Sequence, residues 1–407
     1  MNKKKQVHKR VVILFMKEVL EAYNEKRITL DRAMEMLDLS RSNFFRYLKA
    51  YREAPSQFGI EYLRKESNHK ISVDVEKEIE EILRAEKKLI DDERMIKIKQ
   101  FNFQALSEEL ARLRGVEVSS ETIRRRAISL RFHSPKPSKV KVYREVETSK
   151  VGRLFQHDAS FHQWSPFMNY FYLILTVDDH SRRILYARFF GEETSMNHIL
   201  SIRDTVQQYG LPLAYYTDRH SIFVYTPKTS HTHTYQTVVE DAQVQWRRVL
   251  DQLQIQGILA QSPEAKGKVE SKFKYLQARV VRRCAKEEVT TLEHAQRILD
   301  VEVDYYNNYR KHEITGQTPK ERWELAVKEK RTVLRTFQLK EGQSLKDIFC
   351  LEYHKKLDKY GKTKIKGVEV QLKKVATQKV IIRHLAENGL TEIRIFQKGL
   401  LLKVFKI

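Results

Sequence analysis

The sequence has few cysteines and no long apolar run, and each shortage excludes a class of protein. Its 407 residues include two cysteines, Cys284 and Cys350, which alone cannot form a disulfide framework or a four-ligand zinc site. We expect both thiols to be reduced and without a chemical role. No run of about 18 apolar residues occurs, so a membrane-spanning helix is not predicted. Low-complexity tracts are absent as well.

Acidic residues are fewer than basic ones. The chain has 76 Lys and Arg against 53 Asp and Glu, which gives a formal net charge of +23 and a pI near 9.7. This excess favours a polyanionic partner, with nucleic acid as the first candidate and anionic lipid as the alternative. Because no apolar run accompanies the charge, we expect a soluble protein that is not exported.

The first 70 residues predict a helix-turn-helix domain. Helical periodicity runs through 9–52, and Ser40 is the expected N-cap of a final basic helix. On that helix, Arg41, Asn43 and Arg46 are candidates for contacts with bases or phosphates, because arginine binds guanine edges and phosphates.

A second unit with the same plan is predicted over 71–134. Residues 73–99 indicate one or two surface helices, and Gly115 then marks a turn before a basic helix capped by Ser119. That helix carries the candidate DNA ligands Arg124, Arg125 and Arg126. Three consecutive arginines cannot all enter one groove, so we expect at least one of them to be structural or solvent-facing.

The remaining two thirds of the chain predict a multidomain α/β protein. From 150 the order is three strands, a helix, a strand, a helix, a strand and a long helix, which suits a mixed sheet with helices on its faces. The pattern becomes helical and then β-like towards the end of the chain, where a small barrel or sandwich is expected. The predicted segments are a linker at 135–149, a catalytic core at 150–287, a helical extension at 288–330 and a small β-barrel-like domain at 331–407.

Three carboxylates in the central region form a candidate metal site. Asp158 lies in the first predicted strand, Asp218 at the end of the fourth, and Glu270 on the last helix. If the two strands are neighbours, the aspartates converge. Three such oxygen donors can hold two Mg²⁺ ions, with Mn²⁺ as a substitute, and a two-metal site of this kind supports phosphoryl transfer.

Glu264 competes with Glu270 for the third position. In a helix the two are about 240° apart, so both cannot face one metal pair. Glu264 follows a proline near the helix start, where a carboxylate commonly caps the helix. Glu270 borders the apolar stripe; its alternative role is a solvated ladder with Lys266 and Lys274.

Four ordered blocks, FQHDASFH, LTVDDHSRRILYARF, YGLPLAYYTDRHSIF and SPEAKGKVES, resemble the catalytic core of insertion-sequence DDE transposases of the retroviral-integrase type. The resemblance is closest to the ISNCY-like group and covers about 150–325. It implies an RNase H-like fold and a catalytic triad of Asp158, Asp218 and Glu270, with Asp158 bridging both ions.

The resemblance also implies a function. Such an enzyme binds the terminal repeats of its element in double-stranded DNA, cleaves the ends with water and joins the 3′-hydroxyls to target DNA. It would act as a homo-oligomer in the cytoplasm, associated with the nucleoid. A catalytically inactive DNA-binding regulator is the main alternative. A nuclease that cuts RNA in hybrids is disfavoured, since helix-turn-helix units suit the major groove of duplex DNA.

One departure from the family lies between Asp218 and Glu270, which are 52 residues apart (270 − 218), more than is usual in retroviral integrases. His231 and His233 lie in this interval and could bind a metal ion, but histidines in a polar loop are more often solvated, and we favour that interpretation. Near the triad, His220, Lys266 and Lys268 are candidates for DNA contacts.

Several other residues have a structural interpretation. Asp178 and Asp179 fit a hairpin turn in which aspartate caps the backbone. His157 should point to the face of its strand opposite Asp158 and serve packing. Helical spacing predicts that three tyrosines belong to the core: Tyr305, Tyr306 and Tyr309.

Overall fold

The computed structural model describes most of the chain. The described residues are 3–56, 58, 71–135, 148–218, 222–223, 245–260, 267–312, 315–365, 368–372, 379–387 and 389–406. They divide into two compact units, Met1–Val73 and Asp74–Ile407. The boundary at 73 is close to the predicted end of the first domain, and the finer boundaries within the second unit stay predictions.

The first unit consists of three helices: α1 (Lys3–Asn24), α2 (Leu30–Leu37) and α3 (Arg41–Glu53). Thr29 caps α2 by accepting a hydrogen bond from the backbone N–H of Arg32, and Asp38 ends it in a left-handed conformation. Apolar side chains of the three helices form one cluster around the fully buried Leu20 and Phe44.

The second unit begins with α4 (Val73–Asp91), α5 (Phe103–Arg114) and α6 (Ser120–Ser129). Gly115 ends α5 at φ 66°, a left-handed conformation that glycine adopts without a steric penalty. Ser119 caps α6, and its hydroxyl accepts a hydrogen bond from the backbone N–H of Thr122 at 3.1 Å. The turn at Gly115 and the cap at Ser119 are therefore confirmed.

The prediction of one or two surface helices within 73–99 is confirmed by α4, one face of which is buried. Ile79, Leu83 and the carboxylate-bearing Glu86 are each 0% exposed. Beyond the helix, Met95 and Ile98 join the apolar cluster of the central sheet. The many charges in this stretch indicated a solvated surface, but its apolar residues recur at helical spacing and are buried.

The central sheet has five strands in the order β3-β2-β1-β4-β5. Strands β1 (Phe155–His162), β2 (Phe171–Asp178) and β3 (Ile184–Phe190) are antiparallel, whereas β4 (Ala214–Thr217) and β5 (Gln256–Leu259) run parallel to β1. Helix α7 (Ser195–Tyr209) connects β3 to β4, and α8, whose described part is 245–252, precedes β5. The predicted mixed sheet of an α/β protein is confirmed.

Helices cover both faces of this sheet. Side chains of α7 and α8, including Ile199 and Trp246, pack on one face with Phe155. The other face receives α9 (Gly267–Lys286) and α10 (Leu292–Asn308), whose Phe273 and Ile298 pack with the strands.

After α10 the chain forms α11 (Pro319–Lys328), which starts with a capping box between Thr318 and Glu321. A short helix α12 (Leu345–Ile348) precedes six further strands: β6 (Leu351–Lys356), β7 (Lys362–Ile365), β8 (Val368–Gln371), β9 (Lys379–Glu387), β10 (Leu390–Gln397) and β11 (Leu400–Lys406). Four of them form a sheet in the order β11-β10-β9-β6, and β7 pairs with β8. Closure into a barrel stays a prediction.

None of the helices in the described residues combines the length and the apolar character that a membrane span needs.

Candidate active site

The pairing of β1 with β4 relates the two candidate aspartates. The strands are parallel, with Phe155 opposite Tyr215 and Gln156 opposite Tyr216. Asp158 lies two residues after Gln156, and Asp218 two residues after Tyr216. The aspartates therefore follow the paired residues by the same offset, with Asp158 inside β1 and Asp218 directly after the end of β4, and paired strands are about 4.8 Å apart. The expectation that these strands are neighbours is confirmed.

Asp158 faces the side of the sheet that α9 covers. In the antiparallel pair of β1 and β2 it lies opposite Leu175, and directly opposed residues point to the same face. Leu175 packs with Val269 and Phe273 of α9. Asp158 itself remains half-buried.

Helix α9 runs alongside β1 and is fastened to it at two points. The N–H of Val269 donates to Oε1 of Gln156 at 3.0 Å, and Nε2 of Gln277 donates to Oγ of Ser160 at 3.3 Å. Eight helical residues rise about 12 Å and four strand residues about 13 Å, so helix and strand advance together. Asp158 lies midway between the two fastenings.

Glu270 lies in the first turn of α9, next to the first fastening. It precedes Gln277 by seven residues, or about two helical turns, so both side chains lie on one side of the helix. Because Gln277 reaches β1, this side is directed towards the strand that carries Asp158. Glu264, the competing carboxylate, lies outside the described residues, as do His220, His231, His233 and Lys266.

Carboxylates are the oxygen donors that Mg²⁺ prefers, so the donor chemistry of Asp158, Asp218 and Glu270 suits this ion. Across the described residues, however, no group of three or more His, Cys, Asp or Glu side chains is placed so that it could hold a metal ion. The fold places the strand of Asp158 beside the strand that precedes Asp218, with α9 packed along β1, and the triad itself stays a prediction.

The doublet Asp178-Asp179 has two different roles. Asp178 accepts hydrogen bonds from the N–H and the hydroxyl of Ser181 and from the N–H of Gly152, at 2.6–3.0 Å. This is the predicted turn-capping role. Burial raises the pKa of its carboxyl group, and the hydrogen bonds from Ser181 partly oppose that shift.

Asp179 is a residue whose role the sequence did not indicate. It is 3% exposed, and its carboxylate accepts from Nε2 of Gln156 at 2.8 Å and from Nζ of Lys268 at 2.6 Å. It thereby joins β1, two residues before Asp158, to α9, two residues before Glu270. The sequence feature that could have indicated this role is the second aspartate of the turn, since one aspartate is enough to cap the backbone.

Lys268, a candidate DNA ligand, is placed by the structure in this ion pair. Its side chain is only 15% exposed, and its ammonium group contacts Asp179. The pair fixes the first turn of α9 relative to β1. A contact between Lys268 and DNA stays a prediction.

His157 points to the opposite face of β1, as predicted. It is 0% exposed and hydrogen-bonds Thr176 and His198, each at 2.8 Å. Its ring packs beside Trp246, and His198 contacts Glu193 at 3.0 Å. These contacts confirm a packing role below the candidate site.

The candidate DNA ligands of the first unit lie on α3. Arg41 and Arg46 are exposed and lie over the rings of Phe45 and Tyr47, at 5.9 Å and 5.0 Å from the ring centres. Asn43 is half-buried. Contacts of these three residues with DNA stay predictions.

The three arginines of α6 all pair with glutamates. Nε of Arg126 donates to Glu76 of α4 at 2.6 Å, which joins α6 to α4, and contacts of the three arginines with DNA stay predictions. The guanidinium of Arg126 lowers the pKa of Glu76. Arg124 and Arg125 both contact Glu121, and their hydrogen bonds lower the pKa of that carboxyl group to about 2.

The core interpretation holds for one of the three tyrosines. Tyr306 is 1% exposed, whereas Tyr309, which follows the end of α10, is 69% exposed. Tyr305 is half-buried and stacks on Tyr309 with 6.1 Å between ring centres. The prediction is therefore wrong for Tyr309, because the helix ends before it.

Both cysteines are buried. Burial raises the thiol pKa of Cys284 to about 12 and that of Cys350 to about 11. Both are therefore protonated at neutral pH.

No family model matches the chain. Among solved structures, the catalytic core domain of BIV integrase gives a TM-score of 0.31 at 22% identity, over 44% of this chain and 98% of that one. The simian T-cell lymphotropic virus intasome in complex with a PP2A regulatory subunit gives 0.34 at 15% identity, over 79% and 99%. TM-scores of this size do not establish a shared fold.

Two curated relatives are similar in sequence. The chain is 26% identical over 216 residues to "Putative transposase y4bF" of Sinorhizobium fredii, covering 49% of this chain and 43% of that protein. It is 31% identical over 161 residues to the transposase for insertion sequence IS1202 of Streptococcus pneumoniae, covering 39% and 32%. The matches thus span less than half the length of each relative. They confirm the resemblance to insertion-sequence transposases that the sequence motifs indicate.

Proposed function

We propose that this chain is a DNA transposase with an RNase H-like catalytic core. It binds the terminal repeats of its element, cleaves the ends by metal-dependent hydrolysis and joins the 3′-hydroxyls to target DNA. One observation carries the proposal: Asp158 lies on the face of β1 that α9 covers, and Asp218 directly follows β4, the parallel neighbour of β1. The similarity to two transposases supports it.

In this proposal, Asp158, Asp218 and Glu270 hold Mg²⁺, or Mn²⁺ in its place. When bound, two such ions activate the attacking oxygen and stabilise the leaving oxygen of an in-line displacement at phosphorus. The protein supplies position: the sheet sets the spacing of the aspartates, and α9 sets the approach of Glu270. No covalent enzyme intermediate is needed, since water and then a DNA 3′-hydroxyl attack the phosphate directly.

Double-stranded DNA is the proposed partner, and the net charge of +23 favours its binding. The three-helix segments α1–α3 and α4–α6 act as helix-turn-helix units in this proposal. Joining two element ends at one target requires a homo-oligomer on DNA, acting in the cytoplasm at the nucleoid. The proposed DNA ligands are Arg41, Asn43, Arg46, Arg124, Arg125, Arg126, His220, Lys266 and, subject to the test below, Lys268.

The test is Mg²⁺-dependent cleavage and strand transfer on labelled DNA that carries the element's own ends. Wild type is compared with Glu270→Gln and, as a matched control from the same segment, Glu264→Gln. Removing a metal ligand should cost more than about a hundredfold in rate, since loss of residues that merely orient ligands costs about 10–100-fold. Binding of the ends should persist in both variants.

Each result has a definite meaning. Loss of both reactions in the Glu270 variant alone supports the triad. Equal activity of wild type and the Glu270 variant overturns it and moves the third ligand to Glu264 or elsewhere. Binding of the ends by wild type without any cleavage would favour the inactive DNA-binding regulator, against which the presence of all three carboxylates argues.

A second test separates two roles for Lys268. If it positions α9 through Asp179, Lys268→Met and Asp179→Asn should each slow cleavage, and the double variant should cost little more than one single variant. End binding and its salt dependence should stay unchanged. If Lys268 instead contacts DNA, only the Lys268 variant should weaken binding and reduce the salt slope, by about one.

A further inference from the structure

A basic cleft lies beside the candidate active site, between α9 and the second three-helix segment. Its volume is about 550 Å³. Its walls come from the chain before α5, from the start of α6, from the end of β1 and from α9. The lining residues that matter most are Lys97, Lys99, Arg124, His162 and Lys274.

The walls of this cleft are held together by buried contacts. Glu86 of α4 is 0% exposed and accepts from Nε of Arg282 on α9 at 2.6 Å. Glu108 of α5 makes a second such pair with Arg279, also at 2.6 Å and nearly buried. The α4–α6 segment is thus fixed to the helix that carries Glu270.

The charge of the cleft suits a polyanion. Lys97, Lys99 and Lys274 are exposed, and none of them forms an ion pair with a carboxylate in the described part of the chain. Glu121 is the one acidic residue that lines the cleft within the described residues, and it is paired with Arg124. The ammonium group of Lys97 lies 5.5 Å from the ring centre of Tyr170, and no carboxylate of the described residues neutralises the three lysines, so their charge can attract phosphates.

The cleft continues the face that holds the candidate triad. Along β1, Asp158, Ser160 and His162 point to one side, and His162 lines the cleft about 13 Å from Asp158. Along α9, Lys274 follows Glu270 by one turn, and Arg282 lines the far end about 18 Å from Glu270. A bound strand can run from the carboxylates to α6 without leaving this surface.

We infer that this cleft contacts the phosphate backbone of the terminal base pairs of the DNA end, so that Arg124 at the start of α6 contacts the DNA within about five base pairs of the cleaved bond. The figure follows because Arg124 lines the same cleft as Lys274 and Arg282, which lie about 6 Å and 18 Å beyond Glu270 along α9, and duplex DNA rises about 3.4 Å per base pair. The inference rests on the proposed function and adds where on the DNA the second three-helix segment binds.

Site-directed crosslinking tests this inference. Both native cysteines are buried, so Arg124→Cys introduces an accessible thiol. The variant is incubated with duplex DNA ends that carry one thiol-reactive group at successive positions over the first 20 or so base pairs. Arg125→Cys is the matched control, because its side chain is 72% exposed and does not line the cleft.

We expect crosslinks from position 124 to be strongest within about five base pairs of the cleaved bond, and weaker from position 125. Crosslinks from position 124 only beyond about ten base pairs, or equal at all positions, overturn the inference. The crosslinking assay needs no cleavage, so it is run with Ca²⁺ in place of Mg²⁺, and cleavage is measured separately with Mg²⁺. Cleavage with distant crosslinks therefore refutes this inference alone, whereas terminal crosslinks without cleavage refute only the catalytic proposal.

A charge reversal provides an independent measurement. Lys99→Glu should weaken binding of a DNA end and lower the salt slope by at least about one. The control Lys88→Glu changes an exposed lysine of α4 that does not line the cleft, and should have little effect. Binding of DNA that lacks its terminal ten or so base pairs should be insensitive to Lys99→Glu. Equal weakening on both DNAs, or by both variants, contradicts the inference.

Discussion

The two three-helix segments, α1–α3 and α4–α6, share the same order of elements but pack differently. Each has a helix, a turn and a final basic helix that begins after a serine. The first segment closes on its own apolar cluster, which contains Leu20, Phe44 and Leu48, and forms a separate compact unit. The second belongs to the unit of the central sheet.

The difference lies in what covers the outer faces of the helices. In the second segment, Met95 and Ile98 pack into the cluster of the sheet, and Glu86 and Glu108 form ion pairs with α9. Buried ion pairs add little net stability, because desolvation offsets their attraction, but a wrong partner leaves a charge unpaired. Ion pairs of this kind therefore fix the α4–α6 segment in one position relative to α9. The first segment has an apolar core of its own, so we expect it to fold without the central sheet.

The largest expected effect tests the independence of the first unit. Phe44 is 0% exposed and packs edge-on against Tyr23 with 5.1 Å between ring centres. Phe44→Ala should cost about 3–5 kcal/mol, which is most of the stability of a domain this small. Calorimetry should lose the transition of the first unit and keep that of the second. A shared fall of both transitions would show that the units unfold as one.

Sequence patterns were sufficient to predict the helices and strands but not how the helices pack against the rest of the protein. Helical periodicity, Ser119 and Gly115 predicted α5 and α6, because capping and left-handed turns are local. The order of strands and helices predicted the mixed sheet. The docking of α4 was not predictable, since Glu86 has the same appearance in the sequence as any solvated glutamate and its partner Arg282 is 196 residues away.

The candidate site shows the same limit. Asp158 and Asp218 were found from their positions in strands, and the pairing of β1 with β4 bears out the neighbour relation. The local sequence assigns Asp179 to a turn. Its contacts with Gln156 and Lys268 join three segments that are distant in the sequence, so no local pattern indicates them. Lys268 likewise gave no local sign that its charge is used inside the protein.

The second prediction detaches the α4–α6 segment. Arg282→Ala leaves Glu86 buried without its guanidinium partner, which should cost about 2–4 kcal/mol. The control is Arg283→Ala, whose partner Glu287 is 40% exposed and whose loss should cost less than about 1 kcal/mol. Urea denaturation measures both costs. Proteolysis within 74–135 should accelerate only in the Arg282 variant, and equal behaviour of both variants would mean that the buried pair does not hold the segment.

A third, smaller effect compares the two capping serines. The hydroxyl of Ser119 accepts from the backbone of Thr122, whereas Ser40 makes no side-chain capping bond in the described structure. Ser119→Ala should therefore cost about 1 kcal/mol and Ser40→Ala only a few tenths. Each is measured on the thermal transition of its own unit. A larger loss at Ser40 would show that its hydroxyl caps α3 in solution.

The smallest effect concerns acid. Arg126 lowers the pKa of Glu76, so the ionised form is favoured in the folded state. The pair is half-exposed and should contribute a few tenths of a kcal/mol, fully present above pH about 4.5 and lost as pH falls through the lowered pKa. Comparing the melting temperature of wild type with that of Glu76→Gln should give a difference that is constant from pH 7 to 5 and shrinks towards pH 3. A difference that persists at pH 3 would assign the contact between α4 and α6 to packing, since a hydrogen-bonded charge pair must weaken when its carboxylate is protonated.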